Sequence, residues 1–110
     1  MLDTHQRQFV KLLAHIHLEF HQPQRALPLL QGLLALDPED PETLKMLAWA
    51  QIRMHHHQEA LDTCRRYLAA GGEGEEHAPI RLLQAQALWG SGKKEEAREA
   101  FSCYLRETRP

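Results

Sequence analysis

Apolar residues recur along this chain with the period of a helix. Phe9, Leu12, Leu13, Ile16 and Phe20 follow an i, i+3, i+4, i+7 spacing, and Leu44, Leu47, Ala48 and Ile52 repeat it, so each set falls on one helical face. No run reads as a strand. Breakers divide the chain into six predicted helices, at about residues 5–20, 24–36, 41–54, 57–69, 78–90 and 93–107. Asp40-Pro41 has the form of an N-cap followed by proline at the first helical position, where a missing N–H costs nothing. Gly71-Gly72-Glu73-Gly74 is too flexible to continue a helix and predicts a polar loop before Pro79. Pro28 fits the second helix only if that helix begins near Gln24 or later, because a mid-helix proline costs about 3 kcal/mol.

The helices come in pairs. Ala14, Ala48 and Ala85 each stand twelve residues before a second alanine, at Ala26, Ala60 and Ala97, and the first two pairs are offset by 34 residues. That offset is the tetratricopeptide period. The third pair follows 37 residues later, its three extra residues falling in the Gly-Glu loop, where lengthening is cheap. A small side chain is needed where the two helices of a hairpin cross closely. Bulky residues recur in phase: Leu30, Cys64 and Phe101 four positions after the second alanine, then Leu33, Tyr67 and Tyr104 three further on. Leu36-Asp37-Pro38 closes the first repeat, whereas Gly72 and Arg109 stand at the later closing prolines. Arg81 and Gln84 occupy apolar positions of the third repeat, which predicts that its first helix is rotated or shifted in register. The predicted fold is all-α, a single domain over 1–110 with repeats at about 5–38, 41–72 and 78–109, stacked as a short right-handed superhelix.

Composition narrows the function. With 110 residues, 43% apolar and 6% aromatic, the chain suits one soluble domain with a modest core. No stretch approaches the roughly 20 apolar residues that span a bilayer, and the polar opening lacks the order of a secretory signal. No membrane insertion and a cytoplasmic location are therefore expected. Thirteen Lys and Arg against fifteen Asp and Glu argue against nucleic acid as a partner. Cys64 and Cys103 lack paired spacing and read as reduced core thiols. Among eight histidines, His17 with His21 and His15 with Glu19 have helical i, i+4 spacing, but two ligands without a converging third make no specific zinc site. His55-His56-His57 reads as a solvated turn. The acidic runs at 37–42 and 73–76 suit helix N-termini and loops. No catalytic motif, metal site or cofactor fingerprint is present, and the chain is not expected to be an enzyme.

In a tetratricopeptide stack the first helices line a concave groove. Helical phase assigns to it Gln8, Lys11, His15, Leu18 and Glu19 from the first repeat, Lys45, Trp49, Ile52 and Arg53 from the second, and Leu82, Gln86 and Trp89 from the third. Each tryptophan has a plainer reading, as filler between hairpins. Two aromatics in one cavity, among Leu18, Ile52 and Leu82 and rimmed by Lys11, Lys45 and Arg53, instead compose a binding hot spot with a basic edge. It suits an amphipathic helix with apolar anchors and acidic residues. The chain contains no asparagine, which argues against the carboxylate clamp of heat-shock co-chaperones. No polar capping helix follows the sixth helix, so an uncovered apolar face is expected there, one that a partner would bury.

Three stretches carry a narrower resemblance: Gln6-Arg7-Gln8-Phe9, the run from Arg25 to Glu39, and the run from Lys94 to Phe101 with Tyr104-Leu105. They resemble the Y-type chaperones of bacterial type III secretion, over nearly the whole chain. The resemblance implies a non-catalytic bacterial chaperone, cytoplasmic and peripheral at the secretion apparatus. It would bind the small secreted X-type component as a heterodimer and present it to the export-gate protein, supporting secretion of early substrates. A needle-subunit chaperone of the same systems and a general tetratricopeptide scaffold are the alternatives.

Overall fold

A computed structural model describes residues 2–70 and 77–108. They form six helices, α1 (Thr4–Glu19), α2 (Pro23–Leu36), α3 (Pro41–Arg53), α4 (His57–Ala69), α5 (His77–Gly90) and α6 (Lys94–Thr108), and no strand occurs among the described residues. The expected loop at 71–74 and the repeat ends at Gly72 and Arg109 lie outside the described residues.

Local chemistry sets the helix ends. At α1 the Asp3 carboxylate accepts the Gln6 N–H at 2.8 Å and the Gln6 side chain accepts the Asp3 N–H at 2.9 Å, a reciprocal capping box. Asp40 does precede Pro41 at the N-cap of α3, but its side chain makes no cap bond to the backbone and accepts the Thr43 hydroxyl instead. The turn inside each hairpin is the same. His21, His55 and Gly92 have φ of 59°, 61° and 82°, and the N–H of the next residue reaches back to His17, Gln51 and Leu88 carbonyls at 2.8, 2.8 and 3.0 Å. These are left-handed C-terminal caps, and they repeat with the alanine offsets. A left-handed non-glycine residue costs about 1–2 kcal/mol. His21→Gly and His55→Gly are therefore each expected to raise unfolding free energy by about 0.5–1 kcal/mol, and Gly92→Ala to lower it by about 1 kcal/mol. Urea unfolding of the three variants checks this.

Pro28 departs from expectation. Because α2 starts at Pro23, Pro28 lies inside the helix, past the first turn, and the Gln24 carbonyl loses its intrahelical partner. Both residues are exposed, so water can satisfy that carbonyl.

Each hairpin packs within itself, and the hairpins stack through α2 on α3 and α4 on α5, with α1, α3 and α5 adjacent along one side. The stack measures 43 × 28 × 22 Å. All six repeat alanines are buried, Ala14, Ala26, Ala48 and Ala60 fully and Ala85 and Ala97 nearly so, as close helix crossings require. Around them one core cluster joins Leu18, Leu30, Leu44, Tyr67 and Ile80 from all three hairpins. The buried Cys64 thiol has its pKa pushed up to about 12 by desolvation, which leaves it an inert core group.

The third hairpin is not rotated. Ile80, Ala85, Ala87 and Leu88 are buried on α5 just as Thr43, Ala48, Ala50 and Gln51 are on α3, at a constant offset of 37 residues. Arg81 and Gln84 take the places of Leu44 and Leu47 and are only half-buried. The Arg81 Nη1 donates to the Gln84 side chain at 3.4 Å, while its Nε is buried without a hydrogen bond and has the Glu107 carboxylate 3.6 Å away.

The histidine run is also only partly a turn. His55 and His56 lie between helices, but His57 is the first residue of α4, with Nδ1 buried and without a hydrogen-bond partner. Its ring lies where a Cβ on Gly90 would fall. Gly90→Ala is therefore expected to destabilise the fold by about 1–3 kcal/mol through overpacking. In a His57→Ala background the same change should become neutral or stabilising, which a double-mutant cycle by thermal unfolding tests.

Candidate functional site

The side formed by α1, α3 and α5 carries an open cleft of about 970 Å³. Its lining follows the repeat. Gln8, Glu42 and Pro79 form one row, Lys11, Lys45 and Leu82 the next, then Leu12, Met46 and Leu83, then His15, Trp49 and Gln86. Within each row the members are separated by the 34- and 37-residue offsets. Ile52, Arg53 and His55 extend the α3 wall. The lining mixes the apolar Leu12, Met46, Trp49, Ile52, Leu82 and Leu83 with the charged Lys11, Glu42, Lys45 and Arg53, the composition of small concave binding sites.

Trp49 is the one tryptophan that lines the cleft. It is half-buried and packs against the core cluster, with the His15 ring 5.9 Å away at a 58° tilt. His15 is itself oriented by Glu19, at 3.1 Å. Lys45 and Arg53 stand four residues before and four after Trp49, so the three share one face of α3 over about 12 Å. Neither cation has an ion-pair partner among the described residues.

Lys11 differs, because its charge is already matched. Its ammonium lies 2.9 Å from Asp40 and 3.1 Å from Glu42, tying α1 to the N-terminus of α3. Burial would lower the Lys11 pKa, but hydrogen bonds and charge from Asp40 and Glu42 outweigh it and hold the pKa above 10.5. Burial would likewise raise Asp40, but the Thr43 hydroxyl and Lys11 outweigh it and hold Asp40 below 3.8. A depressed carboxylate stabilises above its unfolded pKa and loses that contribution as pH falls through the folded value; a raised lysine loses its contribution only as pH climbs through the folded value. Lys11→Met is thus expected to cost about 1 kcal/mol at neutral pH. The difference from wild type should begin to shrink as pH falls to 3.8 and disappear only as pH passes the lower folded value of Asp40, which acid titration of both proteins by circular dichroism measures.

Of the residues assigned to the groove by helical phase, Gln8, Lys11, His15, Lys45, Trp49, Ile52, Arg53, Leu82 and Gln86 do line the cleft. Three do not. Leu18 is 1% exposed and belongs to the core, Glu19 points along α1 to His15, and Trp89 sits outside the cleft, 55% exposed, with the Lys94 ammonium 5.3 Å over its ring. Trp89 lies on the last turn of α5, beyond which no described helix builds a further wall. Leu12, Glu42, Met46, His55, Pro79 and Leu83 were not anticipated. Carrying Gln8 forward by the two repeat offsets finds Glu42 and Pro79, and Leu12 and Met46 directly follow Lys11 and Lys45 in the sequence.

The described residues gather no group of three or more metal-ligating side chains, and no helix among them is long and apolar enough to cross a membrane. Residues 17–76, more than half of the chain, match the family described as tetratricopeptide repeat. No curated protein matches the sequence.

Proposed function

The chain belongs to the tetratricopeptide repeat family, whose stacked hairpins are scaffolds for protein partners, and from that premise we propose that the α1–α3–α5 cleft holds a helix of a client protein. The observation that carries this reading is Trp49, half-buried in the cleft between Lys45 and Arg53, whose charges have no ion-pair partner among the described residues. An aromatic anchor between two cations suits an amphipathic helix that seats an apolar residue on Trp49 and sets carboxylates one turn to either side. Partner helices with unpaired basic residues at those places are rejected by the same charges.

The finer reading joins this groove to the resemblance with Y-type chaperones of type III secretion. In it the client is the small secreted X-type component, kept in a soluble heterodimer in the bacterial cytoplasm and handed on at the export gate. The work is burial: apolar client surface is shielded from water until release, and no covalent chemistry is involved.

Co-expression with the small proteins encoded beside this gene, followed by size-exclusion chromatography with light scattering, tests the proposal. A stoichiometric complex with one small helical client is expected, and the paired reversals Lys45→Glu and Arg53→Glu should abolish it. A client that binds the reversed protein equally well overturns the groove reading. A needle subunit in place of the X-type protein overturns the choice of client and leaves the groove reading standing.

A further inference from the structure

The two ends of the stack expose the two halves of one interface. Phe9, Leu12, Ile16 and Phe20 run down one face of α1 and are 64%, 57%, 42% and 72% exposed. Shifted by the 34-residue repeat they become Thr43, Met46, Ala50 and Met54, of which the first three are buried and the last half-buried. Among the described residues α3 has a hairpin packed before it and α1 does not: α3 packs on α2, whereas α1 touches α2 of its own hairpin and α3 beyond it. The α1 stripe is therefore the face that, in later hairpins, lies on the second helix of the hairpin before.

The opposite end mirrors this. Phe101 and Leu105 of α6 are 44% and 40% exposed, with the Tyr104 ring stacked on Phe101 at 5.9 Å. Their counterparts in α2 are Leu30 and Leu34 and in α4 Cys64 and Leu68; the first three are buried and Leu68 packs on the core. In α2 and α4 that face is covered by the first helix of the following hairpin. No described helix covers it on α6.

We propose that the α1 stripe of one copy docks on the α6 face of a second copy, so that the free protein self-associates head to tail. The interface continues the α2–α3 and α4–α5 contacts already inside the chain, with the same helix pair, the same face and the same repeat position on each side. Charge does not oppose it. The α1 stripe contains no Lys, Arg, Asp or Glu, and near the α6 face Lys94 is engaged over Trp89 and Arg98 with Glu95. Phe9 and Ile16 are larger than Thr43 and Ala50, so the two copies stand further apart than successive hairpins do. Because the two faces differ, the contact is heterologous and leaves a free face at each end.

Light scattering across a concentration series of the isolated chain tests this. Wild type should climb past the dimer mass without a plateau. Phe9→Glu alone and Leu105→Glu alone should each stay monomeric, but an equimolar mixture should give a dimer and nothing larger, since each variant retains the half that the other has lost. Phe20→Glu repeats the α1 block at a more exposed position, and circular dichroism confirms that each variant stays helical. Charge reversal at Lys45 should leave the association unchanged. Wild type that is monomeric at every concentration, or a closed dimer that survives Leu105→Glu, overturns the proposal.

Discussion

Trp49→Ala is expected to weaken binding of the client helix by about 2 kcal/mol or more, at least roughly a thirtyfold rise in Kd. Trp49 is the largest side chain lining the cleft, it faces α1 across the His15 contact, and Lys45 and Arg53 on the same face position the client's carboxylates around it. Truncation removes the anchor and leaves the two cations to bind a helix that has lost its register. Helicity should be retained, because Ala48 and Ala50 on either side of Trp49 make the close helix contacts and are themselves fully buried. Trp89→Ala is the matched control. Trp89 lies outside the cleft and contacts Lys94, and an exposed cation–π pair contributes only about 0.5–1 kcal/mol, so client affinity should hardly move. Isothermal titration of the two variants with the co-purified client separates these outcomes.

Tyr67→Ala should have the largest effect on folding. Tyr67 is 1% exposed and is the largest fully buried side chain, in a cluster that spans all three hairpins. Truncating a side chain of this size in a packed core costs about 3–5 kcal/mol, out of a total stability on the order of 5–15 kcal/mol. A fall in Tm of roughly 10–20 °C follows. Tyr104 occupies the same repeat position in α6, where no described helix covers it and it is only half-buried. Tyr104→Ala should therefore cost less than half as much, although the residue type and helix position are the same. Differential scanning calorimetry of both variants measures the contribution of the stacked neighbour.

The contrast between the two tyrosines also explains how much could be read from residues alone. Helix positions were legible because caps and breakers act locally: all six starts and all six ends fall within one residue of expectation or on it. Hairpin pairing was legible because alanine at a close crossing leaves no alternative side chain. Cleft rows were legible in part, since helical phase and the repeat offset together bring Lys11, Lys45 and Leu82 to one level. Periodicity does not say which apolar face acquires a neighbour. The α1 stripe has the regular spacing of a core face yet points to solvent, while Ala14 and Leu18 form the core contact. Leu18 and Trp89 fail as groove residues for the same reason: their fate depends on what packs beside the last turns of α1 and α5. His57 was misread because its environment is set by Gly90, 33 positions away in sequence.

The central claim is that the concave side of the stack is where a client helix lies, and site-specific photocrosslinking tests it most directly. A benzophenone amino acid placed at Lys45, in the cleft, is compared with one placed at Arg65, exposed on α4. The account predicts a covalent adduct with the small client from position 45 and none from position 65. An adduct from position 65 with none from position 45 would contradict it.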